Sequence, residues 1–118
     1  MLKRRQWLLN LLGLQVLWAG GARAAAVTPA TTAATLEVEI RDYQFHPAKL
    51  SISVGDSVRW VNREKRATHS VLFAGPAGGE SDRLFPGEHW QRLFDRAGSY
   101  AYGCGPHPEM HGLIVVNP

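Results

Sequence analysis

The chain has 118 residues, 45% hydrophobic and 19% charged, with a single cysteine and a formal charge of +3. Four of its 13 cationic side chains (Lys3, Arg4, Arg5, Arg23) fall in the first 24 residues and none of its 10 acidic ones do, so residues 25–118 carry 9 cations against 10 acids. The positive balance is a property of the N-terminus and excludes a nucleic-acid surface as its meaning, while one cysteine excludes an internal disulfide.

Lys3, Arg4 and Arg5 precede an apolar run from Trp7 to Gly20, and Ala22-Arg23-Ala24 places small residues around a cleavage point. This order predicts an export signal over residues 1–24, with the mature chain starting at or near Ala25 in the periplasm. A retained membrane anchor is the weaker alternative, because a run of about 14 residues falls short of the roughly 20 that span a bilayer. Cleavage leaves no stable membrane insertion. Arg4-Arg5-Gln6-Trp7-Leu8-Leu9 resembles a twin-arginine signal, and Asn10 and Gln15 dilute the run as that route favours. The general secretory route stays open.

Residues 25–35 are small, with one proline, and predict a flexible leader. Residues 36–118 form one domain, large enough to bury roughly two-thirds of its unfolded surface. Leu36, Val38 and Ile40 alternate with Glu37, Glu39 and Arg41 as in a half-buried strand. Tyr43 to Pro47 is expected to break it, since Pro47 cannot donate to a ladder. Leu50, Ile52 and Val54 alternate again, and Gly55-Asp56 turns the chain into Val58, Trp60 and Asn62. Another strand is expected from His69 to Phe73, then a loop over Gly75 to Glu80. Strands at His89–Phe94, Ser99–Cys104 and Leu113–Val116 complete the chain. No window has helical spacing. Seven to eight short strands predict an all-β, antiparallel sandwich or barrel.

The stretch Tyr100 to Gly112 carries the chemistry. Cys104, His107 and Met110 occur as C-x-x-H-x-x-M, and a further imidazole, His69, lies upstream. Two imidazoles and a thiolate in a plane, with a weak axial thioether, form the set that selects copper for one-electron transfer. Tyr100, Tyr102 and Cys104 share a strand face. Pro106 and Pro108 bracket His107 and stiffen the loop before any metal arrives. His46, His89 and His111 are expected to be solvated polar residues.

Rival chemistries fit less well. A cysteine hydrolase activates its thiol with a histidine, often at a helix N-terminus, and here the cysteine ends a strand between glycines. A zinc site favours more cysteine or a third histidine over methionine. A copper enzyme needs a second, open site, and the spare histidines form no cluster in the sequence. The alternative that survives is a periplasmic copper-binding carrier or sensor, although such proteins tend to be methionine-rich.

Two segments carry a family resemblance. F-H-P-A-K-L-S-I-S-V-G-D-S-V-R-W-V-N (45–62) and G-S-Y-A-Y-G-C-G-P-H-P-E-M (98–110) resemble the cupredoxins, the blue copper proteins, closest to the amicyanin, plastocyanin and pseudoazurin branch. V-N-R-E (61–64) resembles amicyanins in particular. The resemblance implies a Greek-key β-sandwich and one type 1 copper per chain, with His69, Cys104, His107 and Met110 as ligands. It implies a monomeric electron carrier rather than an enzyme. Its partners would be transient redox proteins such as a dehydrogenase and a cytochrome. Two positions depart from the pattern: Ser70 stands where the family usually has asparagine, and Gly103 where plastocyanins have an aromatic ring. The second departure directs electron exit to the exposed edge of His107, inside a small, weakly charged apolar patch with Gly105, Pro106 and Pro108.

Overall fold

A computed structural model of the chain describes residues 32–76 and 78–118. The predicted signal, 1–24, and residues 25–31 of the predicted leader lie outside them. The described chain is all β, with nine strands: β1 (Thr35–Arg41), β2 (Gln44–His46), β3 (Lys49–Ser53), β4 (Ser57–Asn62), β5 (Leu72–Phe73), β6 (Gly79–Glu80), β7 (His89–Leu93), β8 (Gly98–Gly103) and β9 (His111–Asn117). One sheet has the order β2-β1-β4-β7 and the other β3-β9-β8-β5-β6.

The alternation read in the sequence decides which faces meet. Val38 and Ile40 of β1, and Val58 and Trp60 of β4, are fully buried, while Glu37 and Arg41 of β1 stay exposed. From the other sheet come Ile52, Phe73, Tyr102, Ile114 and Val116. Trp60 sits among aromatic rings, perpendicular to Tyr102 at 5.4 Å and to Phe73 at 5.9 Å. Such edge-to-face pairs add about 0.5–1.5 kcal/mol each beyond the apolar area they bury.

The sandwich class is the one expected, but its pairing is mixed. β1 runs parallel to β4, and β3 parallel to β9. The reason is that Gly55-Asp56 is a corner between sheets, not a hairpin. After β3 the chain is tied to both sheets, Val54 N–H to Asn117 O and Gly55 N–H to Phe94 O. It then enters the first sheet beside β1.

Two further strands appear where sequence patterning predicts a break and a loop. Gln44–His46 folds back on β1 through a two-residue turn, with Asp42 and Tyr43 both at positive φ. Pro47 lies just past that strand and so removes no ladder bond. Gly79–Glu80 pairs with β5 as a sheet edge. The strand expected from His69 shortens to Leu72–Phe73, and His69 instead forms an isolated bridge with Leu84.

Candidate metal centre

Three structural units deliver the donors to one end of the sandwich. His69 is held by reciprocal backbone bonds with Leu84, at 3.1 and 2.8 Å. Cys104 follows the last residue of β8 directly, and Met110 immediately precedes β9. His107 lies in the loop between them, closed by the Met110 N–H donating to His107 O at 3.0 Å. The side-chain parity of β8 holds, with Tyr102 and Cys104 both buried.

Cys104 Sγ lies 3.6 Å from His69 Nδ1 and 3.6 Å from His107 Nδ1, and the two Nδ1 atoms are 3.1 Å apart. One ion about 2.0–2.3 Å from each donor would reach all three, distances typical of metal–nitrogen and metal–thiolate bonds. The donor chemistry also fits copper: two imidazoles, one thiolate and a neighbouring thioether. His69 is fully buried, Cys104 and Met110 are 2% exposed, and His107 is half-buried. His89 and His111 are exposed and His46 is half-buried, and none joins the donor cluster among the described residues.

Several groups orient these donors without touching the cluster's centre. Glu64 Oε2 lies 3.1 Å from His69 Nε2 and also accepts the Tyr43 N–H at 2.8 Å. With its proton on Nε2, His69 turns the Nδ1 lone pair toward Cys104, the usual way an outer carboxylate fixes a ligating tautomer. Glu64 is in turn pinned by buried Asn62, whose Oδ1 accepts the Glu64 N–H while its Nδ2 donates to Ala67 O and Leu84 O. Burial pushes the His69 imidazole below its ordinary pKa of 6.5, and repulsion from His107 adds to this. The Glu64 hydrogen bond works the other way. The ring is therefore neutral at pH 7, as a ligand must be.

Tyr43 covers the pair. Its ring stands edge-on to His107 at 4.7 Å and to His69 at 5.4 Å. Ser70 links the two ligand loops: its N–H points to Cys104 Sγ at 3.4 Å, and its hydroxyl accepts the Gly105 N–H and donates to Glu80.

Sequence reasoning singled out the four donors and Ser70, but assigned nothing to Tyr43, Glu64 or Glu80. Glu64 stands five residues before His69 and shares no periodicity with it. The one available signal was the V-N-R-E segment, recognised as a resemblance and not as a hydrogen-bonding unit.

Comparison with known proteins agrees with this geometry. Residues 32–117 match the family model for copper binding proteins of the plastocyanin/azurin family. Amicyanin of Paracoccus denitrificans is 36% identical over 83 residues, covering 67% of this chain and 63% of that protein. Amicyanin-alpha of Methylorubrum extorquens is 34% identical over 104 residues, covering 85% of this chain and 84% of that one. The chloroplastic plastocyanin of Tetradesmus obliquus is 39% identical over 84 residues, 57% of its length. The chain thus spans less than two-thirds of the first and third of these relatives. Among solved structures, an amicyanin variant in its Cu(I) form superposes with a TM-score of 0.66 at 31% identity, over 70% of this chain and 82% of that one.

Proposed function

The chain belongs to the plastocyanin/azurin family of copper-binding proteins, and on that footing we propose that it is a periplasmic blue copper protein carrying single electrons between redox enzymes. His69, Cys104, His107 and Met110 would hold the metal. Copper, when bound, supplies a one-electron couple. The protein's part is to hold and to exclude. Burial of His69, Cys104 and Met110 keeps water from the donors. Pro106 and Pro108 stiffen the His107 loop, and Glu64 fixes the His69 ring. Little has to move when the electron arrives.

The observation that carries this reading is the convergence of one thiol and two imidazole nitrogens at separations of 3.1–3.6 Å. The same burial favours an electron carrier over a protein that hands copper on, because delivery needs donors that open. Electrons would pass at the His107 edge, in the loop of Gly105, Pro106 and Pro108, with the 47% exposed Tyr43 ring against it. A monomer would dock there transiently on redox partners such as a dehydrogenase and a cytochrome. Residues 1–24 would supply export, by the twin-arginine or the general secretory route.

One preparation tests the reading. Purified from a copper-supplied periplasm, the oxidised protein should show intense visible charge-transfer absorption and a mass beginning at or near Ala25. Cys104→Ser should abolish the colour, because an alcohol is neither soft nor readily ionised. A copper-loaded wild type without colour overturns it.

A further inference from the structure

Ser70 is fully buried next to His69, and its hydroxyl sits between the ligand loop and a carboxylate. The hydroxyl accepts the Gly105 N–H at 2.9 Å and donates to Glu80 Oε2 at 2.6 Å. A hydroxyl has one proton. With that proton committed to Glu80, its lone pairs are turned toward Gly105. The Ser70 N–H meanwhile points at Cys104 Sγ.

Glu80 is placed there by regular pairing. In β6 it sits opposite Leu72. On its C-terminal side Ser81 clasps the strand entry, with Ser81 N–H to Val71 O at 2.9 Å and Val71 N–H to Ser81 Oγ at 3.0 Å. The fit to the ligand loop is close: a Cβ at position 105 would overlap the Glu80 carboxylate as it stands, and that side chain would have to swing aside.

We propose that Glu80, acting through the Ser70 hydroxyl, is a positioning residue that fastens the Cys104–Gly105 backbone to the His69 loop and lowers the reduction potential of the copper. The proposal rests on the copper reading above. Adding an electron to the centre makes it more negative, and a carboxylate nearby disfavours that state more than the oxidised one. The carboxylate is exposed, so water and salt screen its field and the effect grows at low ionic strength. The hydrogen-bonded path through Ser70 is screened less and acts on geometry.

Two variants separate charge from fastening. Glu80→Gln keeps an acceptor oxygen and removes the charge. Its potential should lie above that of the wild type, by more at low salt than at high, with the visible spectrum unchanged. Ser70→Ala removes the link. In the metal-free protein, exchange of the Gly105 amide proton should then speed up by about five- to ten-fold, the loss of one hydrogen bond, while amides of β4 and β9 keep their protection. Ser70→Thr should restore slow exchange. An unaltered potential in Glu80→Gln at every salt concentration overturns the electrostatic role. Equal Gly105 exchange in wild type and Ser70→Ala overturns the fastening. A wild type that takes up no copper removes the copper reading and the claim on the potential, and the exchange result still decides the fastening.

Discussion

Tyr43 has a φ of 55° and follows Asp42 at 53°. Both central residues of the β1–β2 turn are therefore left-handed, the geometry of a type I′ hairpin, whose second central residue is ordinarily glycine. An aromatic side chain there costs about 1–2 kcal/mol in backbone strain. Edge contacts with the His69 and His107 rings, each worth about 0.5–1.5 kcal/mol, offset it. These magnitudes predict that Tyr43→Gly changes stability by less than about 1 kcal/mol, since strain and contacts leave together. Denaturant unfolding checks it. A loss well above that would mean the ring's packing outweighs the turn. At the same scale lies Tyr102, whose phenol is buried with no bonding partner among the described residues. Burial pushes its pKa up to about 12, against a smaller opposite influence of the Trp60 N–H.

At the scale of elements, the corner between β3 and β4 depends on one carboxylate. Asp56 Oδ1 accepts the Ala34 N–H and Oδ2 the Ser53 N–H, both at 2.9 Å. Those bonds, Ala34 first, hold its pKa below the usual 3.8, with desolvation opposing slightly. A carboxyl whose folded pKa is depressed contributes stability above its unfolded value and loses it as pH falls through the folded one. Asp56→Asn should therefore be less stable than wild type at pH 7, and the two unfolding midpoints should converge in acid, below about pH 4. Midpoints that stay equally far apart throughout would show that the corner does not use the charge.

The elements also differ in how plainly they were written. β1, β3 and β4 show alternation long enough for their period of two to stand out, and burial follows it except at Val61 of β4, which is buried out of phase. β2 and β6 have three and two residues, too few for any period. Their existence depends on what lies beside them. The parallel pairs were hidden for a related reason: alternation tells which face is buried, never which strand is the neighbour.

For the whole molecule the same division separates the donors from their supports. Cys104, His107 and Met110 lie within seven consecutive positions, so chain order alone groups them. His69 is 35 residues from Cys104. It reaches the cluster because β5, just after it, pairs with β8, just before the cysteine. Resemblance supplied that link, because spacing does not contain it. Glu64 reaches its partner from a loop and Glu80 from the two-residue strand β6, and no local pattern encodes either contact.

This arrangement also predicts what metal removal does. The core around Trp60 draws on both sheets and includes Cys104 and Met110 only at one end. The described chain therefore has a buried interior that does not run through the ligands. A metal bound only to the folded state adds stability by mass action, about 2.7 kcal/mol when free copper is 100 times its dissociation constant. For a domain of this size that is a rise in Tm on the order of 10 °C. Stripping copper with a chelator under reducing conditions, which keep Cys104 a thiol, should lower Tm by at least that much and leave the far-ultraviolet β signal in place at 25 °C. Readdition should restore the higher value. His107→Ala should weaken the copper-dependent increment while leaving the metal-free Tm nearly unchanged, because His107 is half-buried and outside the core cluster. A copper-free protein that loses its β signal at 25 °C would instead make the metal a structural staple, and the sandwich would depend on its ligand end after all.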